Sequence, residues 1–172
     1  MTTETAAVET STDVLADHPA VGRLRGRFGD AIIGLVTFRG ETTILVERHT
    51  IVDILSFLRY EPDLDFNFLA AVQCCDWVGH APRFEVSYHL LSLRRHDRIR
   101  VKVGVPETDV TVPSATAVWR GANWFEREIW DMFGVVFTDH PDLRRILMPD
   151  DWEGHPLRRD EPIGGEEVAF TS

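Results

Sequence analysis

A chain of 172 residues fits one domain, and at that size about 70% of the unfolded surface can be buried without a disulfide or metal. It is 44% hydrophobic and 27% charged, with a net charge of −10 in which Lys102 is the only basic residue that is not arginine. That balance excludes a phosphate-gripping nucleic-acid protein and electrostatic docking on anionic lipid. No apolar run reaches the ~20 residues of a membrane helix.

The first 17 residues, rich in Thr, Glu and Ala, read as a disordered arm without the pattern of a secretion signal. "HPAVGRLRGRFGD" holds a short helix with Pro19 in its first turn. Ala31–Phe38 and Thr42–Glu47 flank a turn at Gly40 and form a hairpin. Ile51, Ile54, Leu55 and Leu58 recur at helical spacing, with Thr50 and Asp53 as a cap and Pro62 as a stop.

"FNFLAAVQCCDW" reads as a buried strand carrying Cys74 and Cys75, both taken as buried thiols. Neighbouring strand positions point to opposite faces, so the two cysteines make a poor chelate. They also fall short of the four ligands of a structural zinc site or iron–sulfur cluster. "RFEVSYHLLSL" alternates Phe84, Val86, Tyr88 and Leu90 against Glu85, Ser87 and His89, and "RIRVKVGV" alternates again. The basic cluster Arg94, Arg95, Arg98, Arg100 and Lys102 is the solvated face and turn of that hairpin, with an acidic partner patch as its competitor. The fold class is α+β: a small mixed, largely antiparallel sheet with packed helices over residues 18–137, then an extended strap over 138–172.

In the last third, Asn123 and Glu126 suggest a capping box, and Gly134 a helix stop. Phe125, Ile129, Trp130, Met132 and Phe133 form one face; Arg127, Glu128 and Asp131 lie opposite, with Arg127 and Asp131 spaced for an i, i+4 pair. Beyond Thr138, Pro141, Pro149, Pro156 and Pro162 interrupt every regular period, yet Ile146, Leu147, Met148, Trp152 and Leu157 persist among arginines and acids. Such a segment reads as a strap that orders against a partner, with folding over its own domain as the competing reading. Arg144 and Arg145 are expected to grip acids of that partner. Removing either would then weaken association by about 2–5 kcal/mol and leave the isolated chain's melting temperature unchanged.

"EREIWDMFGVVFTDHPDLRRIL" resembles the signature of the 30 kDa subunit family of respiratory complex I, the NADH:quinone oxidoreductase of bacteria. Its positions fall on Glu126, Arg127, Glu128, Asp131, Met132, Phe133, His140, Arg144, Ile146 and Leu147, and the likeness spans roughly Ile32 to Pro162. The resemblance implies a non-catalytic subunit of the peripheral arm with no cofactor of its own, FMN and iron–sulfur clusters lying in partner subunits. It implies contact with the large quinone-pocket, 49 kDa-type subunit and with iron–sulfur subunits, and peripheral attachment at the cytoplasmic side of the cell membrane. Glu126, Arg127, Glu128, Asp131, Phe133, His140, Arg144, Arg145, Trp152, His155, Arg158 and Arg159 are the expected interface. One alternative is the equivalent subunit of a ferredoxin- or deazaflavin-dependent complex or of a membrane-bound hydrogenase. Another, from a different class, is a hydrolase using Glu126, Glu128 or Asp131.

Overall fold

A computed structural model describes residues 18–161; the expected arm over 1–17 and the end of the strap lie outside that range. Helix α1 (Pro19–Phe28) starts on His18, whose Nδ1 accepts from the Ala20 N–H at 3.2 Å. Strands β1 (Ile32–Phe38) and β2 (Glu41–Val46) form the expected hairpin, with Gly40 at φ 79° in its turn. Helix α2 (Ile51–Tyr60) buries Ile51, Ile54, Leu55 and Leu58. Thr50 does not cap it as expected; its hydroxyl donates instead to the Glu47 carbonyl at 2.9 Å.

Strands β3 (Phe68–Asp76), β4 (Phe84–Ser92) and β5 (Asp97–Val105) complete a five-stranded sheet in the order β1-β2-β5-β4-β3. Only the β2–β5 pairing is parallel. Directly paired residues share a face. Ile44, Val101, Tyr88 and Val72 therefore form one row across the sheet, and Val46, Val103, Val86 and Cys74 the next. The helices cover this face. The other face carries ion pairs, Arg100 with Glu41 at 2.7 Å and Lys102 with Glu85 at 2.7 Å.

Two expectations are corrected here. β3 is an edge strand rather than a buried one, with Phe68 47% exposed. Cys74 faces inward and is half-buried, whereas Cys75 is exposed, because alternate strand positions point to opposite sides of that edge.

The chain then adds a second, two-stranded sheet. β6 (Thr111–Pro113) pairs in parallel with β7 (Val136–Thr138), and helix α3 (Ala122–Phe133) crosses between them and packs on β3. Parallel neighbours need such a crossover. Gly134 ends α3 at φ 75°, the left-handed stop that a glycine accepts most readily. Beyond Thr138 no helix or strand occurs among the described residues, and the strap runs back over α3.

Candidate functional site

The signature residues of α3 and the strap meet in one continuous set of internal bonds. Glu126 is fully buried and does not complete a capping box with Asn123. Its carboxyl accepts from the Ala115 N–H at 2.7 Å and the Ser114 hydroxyl at 2.6 Å, tying α3 to the turn after β6. Burial pushes this carboxyl up to about 7, against the downward pull of those two donors. His140 sits 3.9 Å away with its side chain wholly buried, and burial pushes its pKa down. Both groups are thus driven toward their neutral forms, so their proximity is not an ion pair. His140 instead braces the strap: Nε2 lies 3.4 Å from the Asn123 carbonyl, and Nδ1 accepts from the Asp142 N–H at 3.1 Å.

One helical turn on, Arg127 and Asp131 do not pair with each other. The Arg127 guanidinium donates to the carbonyls of Arg144 (3.1 Å) and Arg145 (2.8 Å), and it lies over the Trp124 ring. Asp131, also fully buried, accepts from the N–H groups of Ile146 (3.0 Å), Leu147 (2.8 Å) and Met148 (2.9 Å) and from Arg145 at 2.6 Å. Burial raises this carboxyl's pKa, but the Met148 and Ile146 amides, the Arg145 guanidinium and the Leu147 amide outweigh it and hold the group at about 2. A strap without secondary structure leaves its own N–H groups unpaired, and one buried carboxylate takes three of them. Arg145 also donates to the carbonyls of Trp152 (2.6 Å) and Gly154 (3.2 Å).

The far end of the strap is fixed at three further places. His155 Nδ1 lies 3.0 Å from the Asp131 carbonyl, with its ring edge-on to Trp130. Gly134 leaves room for that imidazole: a Cβ there would come within 2.6 Å of it. Past this point the Leu157 N–H donates to the Met132 carbonyl at 3.0 Å. Buried Arg83 then holds Asp76 with two bonds, 2.8 and 2.9 Å, and reaches Asp160 at 2.7 Å, while the Arg159 N–H donates to Asp76 at 2.9 Å. Arg158 pairs with Asp160 at 3.1 Å and lies over the Phe84 ring. Arg83 gave no signal in the sequence, because its partners Asp76, Glu107 and Asp160 stand 7, 24 and 77 positions away.

The expected interface residues therefore divide. Glu126, Arg127, Asp131, His140, Arg145 and His155 are engaged inside the chain and set the path of the strap. Arg145 in particular already holds a carboxylate of its own chain, which corrects the expectation that removing it would leave the isolated protein's stability untouched. Glu128, Arg144 and Arg159 are exposed; the Arg144 side chain pairs with exposed Asp142 at 3.0 Å. Phe133, Trp152 and Arg158 are half-buried. Among the apolar groups, Leu147 and Leu157, expected in the strap, are 60% and 54% exposed, and Trp124 of α3, which the sequence did not single out, is 61% exposed.

The three acids considered for hydrolysis do not converge. Glu126 and Asp131 are closed off within the chain and Glu128 faces outward. Burial and the neighbouring Cys75 push the Cys74 thiol far up, so it stays protonated and non-nucleophilic near neutral pH. Among the described residues no group of three or more His, Cys, Asp or Glu is arranged to hold a metal ion, and no helix is long and apolar enough to cross a membrane.

Comparison with known proteins gives a consistent family. Residues 44–167 match the family described as respiratory-chain NADH dehydrogenase, 30 Kd subunit. The NADH-quinone oxidoreductase C subunit of Roseiflexus sp. (strain RS-1) is 56% identical over 149 residues, covering 87% of this chain and 86% of the relative. The protein of the same name from Citrifermentans bemidjiense is 49% identical over 151 residues, covering 88% and 92%. Among solved structures, a trypsin-resistant fragment of Nqo5 superposes with a TM-score of 0.61 at 30% identity, covering 72% of this chain and 99% of the fragment. A chain of the membrane-bound sulfane sulfur reductase, an archaeal respiratory membrane complex, gives 0.69 at 22% identity over 83% and 84%, a likeness of fold.

Proposed function

Because the chain belongs to the 30 kDa subunit family of respiratory-chain NADH dehydrogenase, we propose that it works as a scaffold within the complex rather than at a reaction centre. It is a subunit of an NADH-quinone oxidoreductase, an enzyme complex, and its partners are other subunits of that complex. In this reading electrons pass from NADH through FMN and iron–sulfur centres in neighbouring chains to quinone, and this chain holds none of those groups. Its main neighbour is the large subunit that forms the quinone pocket, with iron–sulfur subunits beside it. It reaches the membrane only through the complex, on the cytoplasmic side.

One observation carries the scaffold reading: ionic groups close the seam between α3 and the strap while large apolar side chains on both are left exposed. A segment that folds for its own sake turns apolar groups inward and ionic groups to water. Here Arg127 and Asp131 of α3 and Arg145 and His155 of the strap bond across the seam between them, and Trp124 of α3 with Leu147 and Leu157 of the strap are left facing out. Internal bonding pre-organises the strap, which lowers the ordering cost of association. The outward side chains then supply apolar anchors for a neighbour.

Purification of the tagged chain from native membranes, followed by subunit identification, tests this. The chain is expected to bring a quinone-pocket subunit, iron–sulfur subunits and an NADH- and FMN-binding subunit, while the chain alone carries neither flavin nor iron. Stoichiometric flavin or iron on the isolated chain would overturn the reading. Recovery with hydrogenase-type subunits and no NADH-binding subunit would place it in a related complex instead.

A further inference from the structure

A second surface lies away from the strap. The C-terminal end of α2, the start of β3 and the turn leading into α3 enclose an open cleft of about 550 Å³. Its walls are aromatic and aliphatic: Tyr60 is 64% exposed and Phe68 47%, beside buried Leu69, Val118 and Trp119. Solvent-facing aromatics gathered around one concavity are a feature of binding surfaces. The charged residues lining the cleft are Arg59 and Arg120, and no acid joins them.

Arginines without acids stand out in a chain with 28 acidic and 18 basic residues. The acids just after Tyr60 are engaged elsewhere: Glu61 and Asp63 bind Arg23, and Asp65 binds Arg94. Among the described residues, neither Arg59 nor Arg120 has a hydrogen bond or ion pair through its side chain. The Arg59 guanidinium rests 5.1 Å from the centre of the Tyr60 ring and 5.6 Å from that of Trp119. Stacking fixes the plane of a guanidinium and leaves its N–H edge for a carboxylate, which it binds in a two-bond fork.

We propose that this cleft docks an extended acidic segment of a neighbouring subunit, its carboxylates on Arg59 and Arg120 and an apolar side chain against Tyr60 and Phe68. The apolar walls fit a peptide better than a phosphate chain, and the chain's net charge of −10 disfavours a polyanion outside this local patch. The inference rests on the chain's place in a multi-subunit complex and adds the chemistry of one partner segment.

The test uses the full chain assembled in native membranes, with Tyr60 replaced by the photoreactive p-benzoylphenylalanine. Irradiation and peptide mapping are expected to find an adduct with another subunit, on a stretch holding at least two Asp or Glu. Changing Arg59→Glu and Arg120→Glu together is expected to lower adduct yield by about tenfold or more, whereas Arg59→Lys with Arg120→Lys keeps most of it. A co-purifying subunit that yields no adduct overturns the inference alone. So does an adduct with lipid, with this chain's own termini or with a segment lacking acids, or a yield insensitive to charge reversal. Failure of the chain to co-purify with the complex at all overturns the scaffold reading and this inference together.

Discussion

Glu126 shows how a single carboxyl can be structural in a place where acid–base chemistry is the first thought. Its two acceptor bonds join α3 to the turn after β6, and burial lifts its pKa to about 7. The sign of the resulting pH dependence follows from linkage. Below the ordinary value of 4.5 the group is protonated both folded and unfolded. Between 4.5 and about 7 the folded chain keeps a proton that the unfolded chain releases, so stability from this group is lost as pH rises through that window. His140, shifted down by burial, runs the other way: its contribution is present above the ordinary value of 6.5 and fades as pH falls. Glu126→Gln removes only the first effect. The variant's melting temperature, measured relative to the parent, is therefore expected to climb steadily from pH 4.5 to about 7. A difference that stays flat across that range would mean that the carboxyl does not hold its proton in the folded chain.

At the level of elements, the clasp between α3 and the strap is the main finding, and Asp131 is its centre. Asp131→Ala leaves Arg145 without its carboxylate and three backbone N–H groups without an acceptor. Breaking a buried charge pair from one side destabilises by about 3–5 kcal/mol. Hydrogen exchange checks this directly: the Ile146, Leu147 and Met148 amides should be protected in the parent and exchange freely in the variant, with a lower unfolding midpoint. Unchanged protection would contradict the clasp. Much of the sheet was legible in the sequence, because the alternation from Phe84 to Leu90 in β4 and from Ile99 to Val105 in β5 buries the expected set. The clasp was not. Spacing along α3 suggested local bonds, a cap from Glu126 and a pair between Arg127 and Asp131, and distant backbone groups took all three side chains instead. Strands β6 and β7 are three residues each and exist through their pairing across α3, so no period announces them. Likewise the strap's lack of period was readable and left docking on its own domain open, but the bonds that dock it were not, since carbonyls and N–H groups leave no mark in a residue pattern.

For the whole molecule, a two-layer domain supports an ordered strap that leaves Leu147 and Leu157 turned away from the chain they belong to. Leu147 and Leu157 are exposed, and among the described residues their hydrogen bonds to the chain run through their backbone N–H groups. Surface substitutions of this kind change stability by about 0.5 kcal/mol or less, whereas a charge placed in the apolar core of an interface disrupts it. The most direct measurement is therefore the occupancy of the doubly substituted chain, Leu147→Asp with Leu157→Asp, in the native complex, compared with its unfolding midpoint in isolation. The account predicts a chain as stable as the parent that is lost from the purified complex. Full occupancy of the complex by that variant would contradict it.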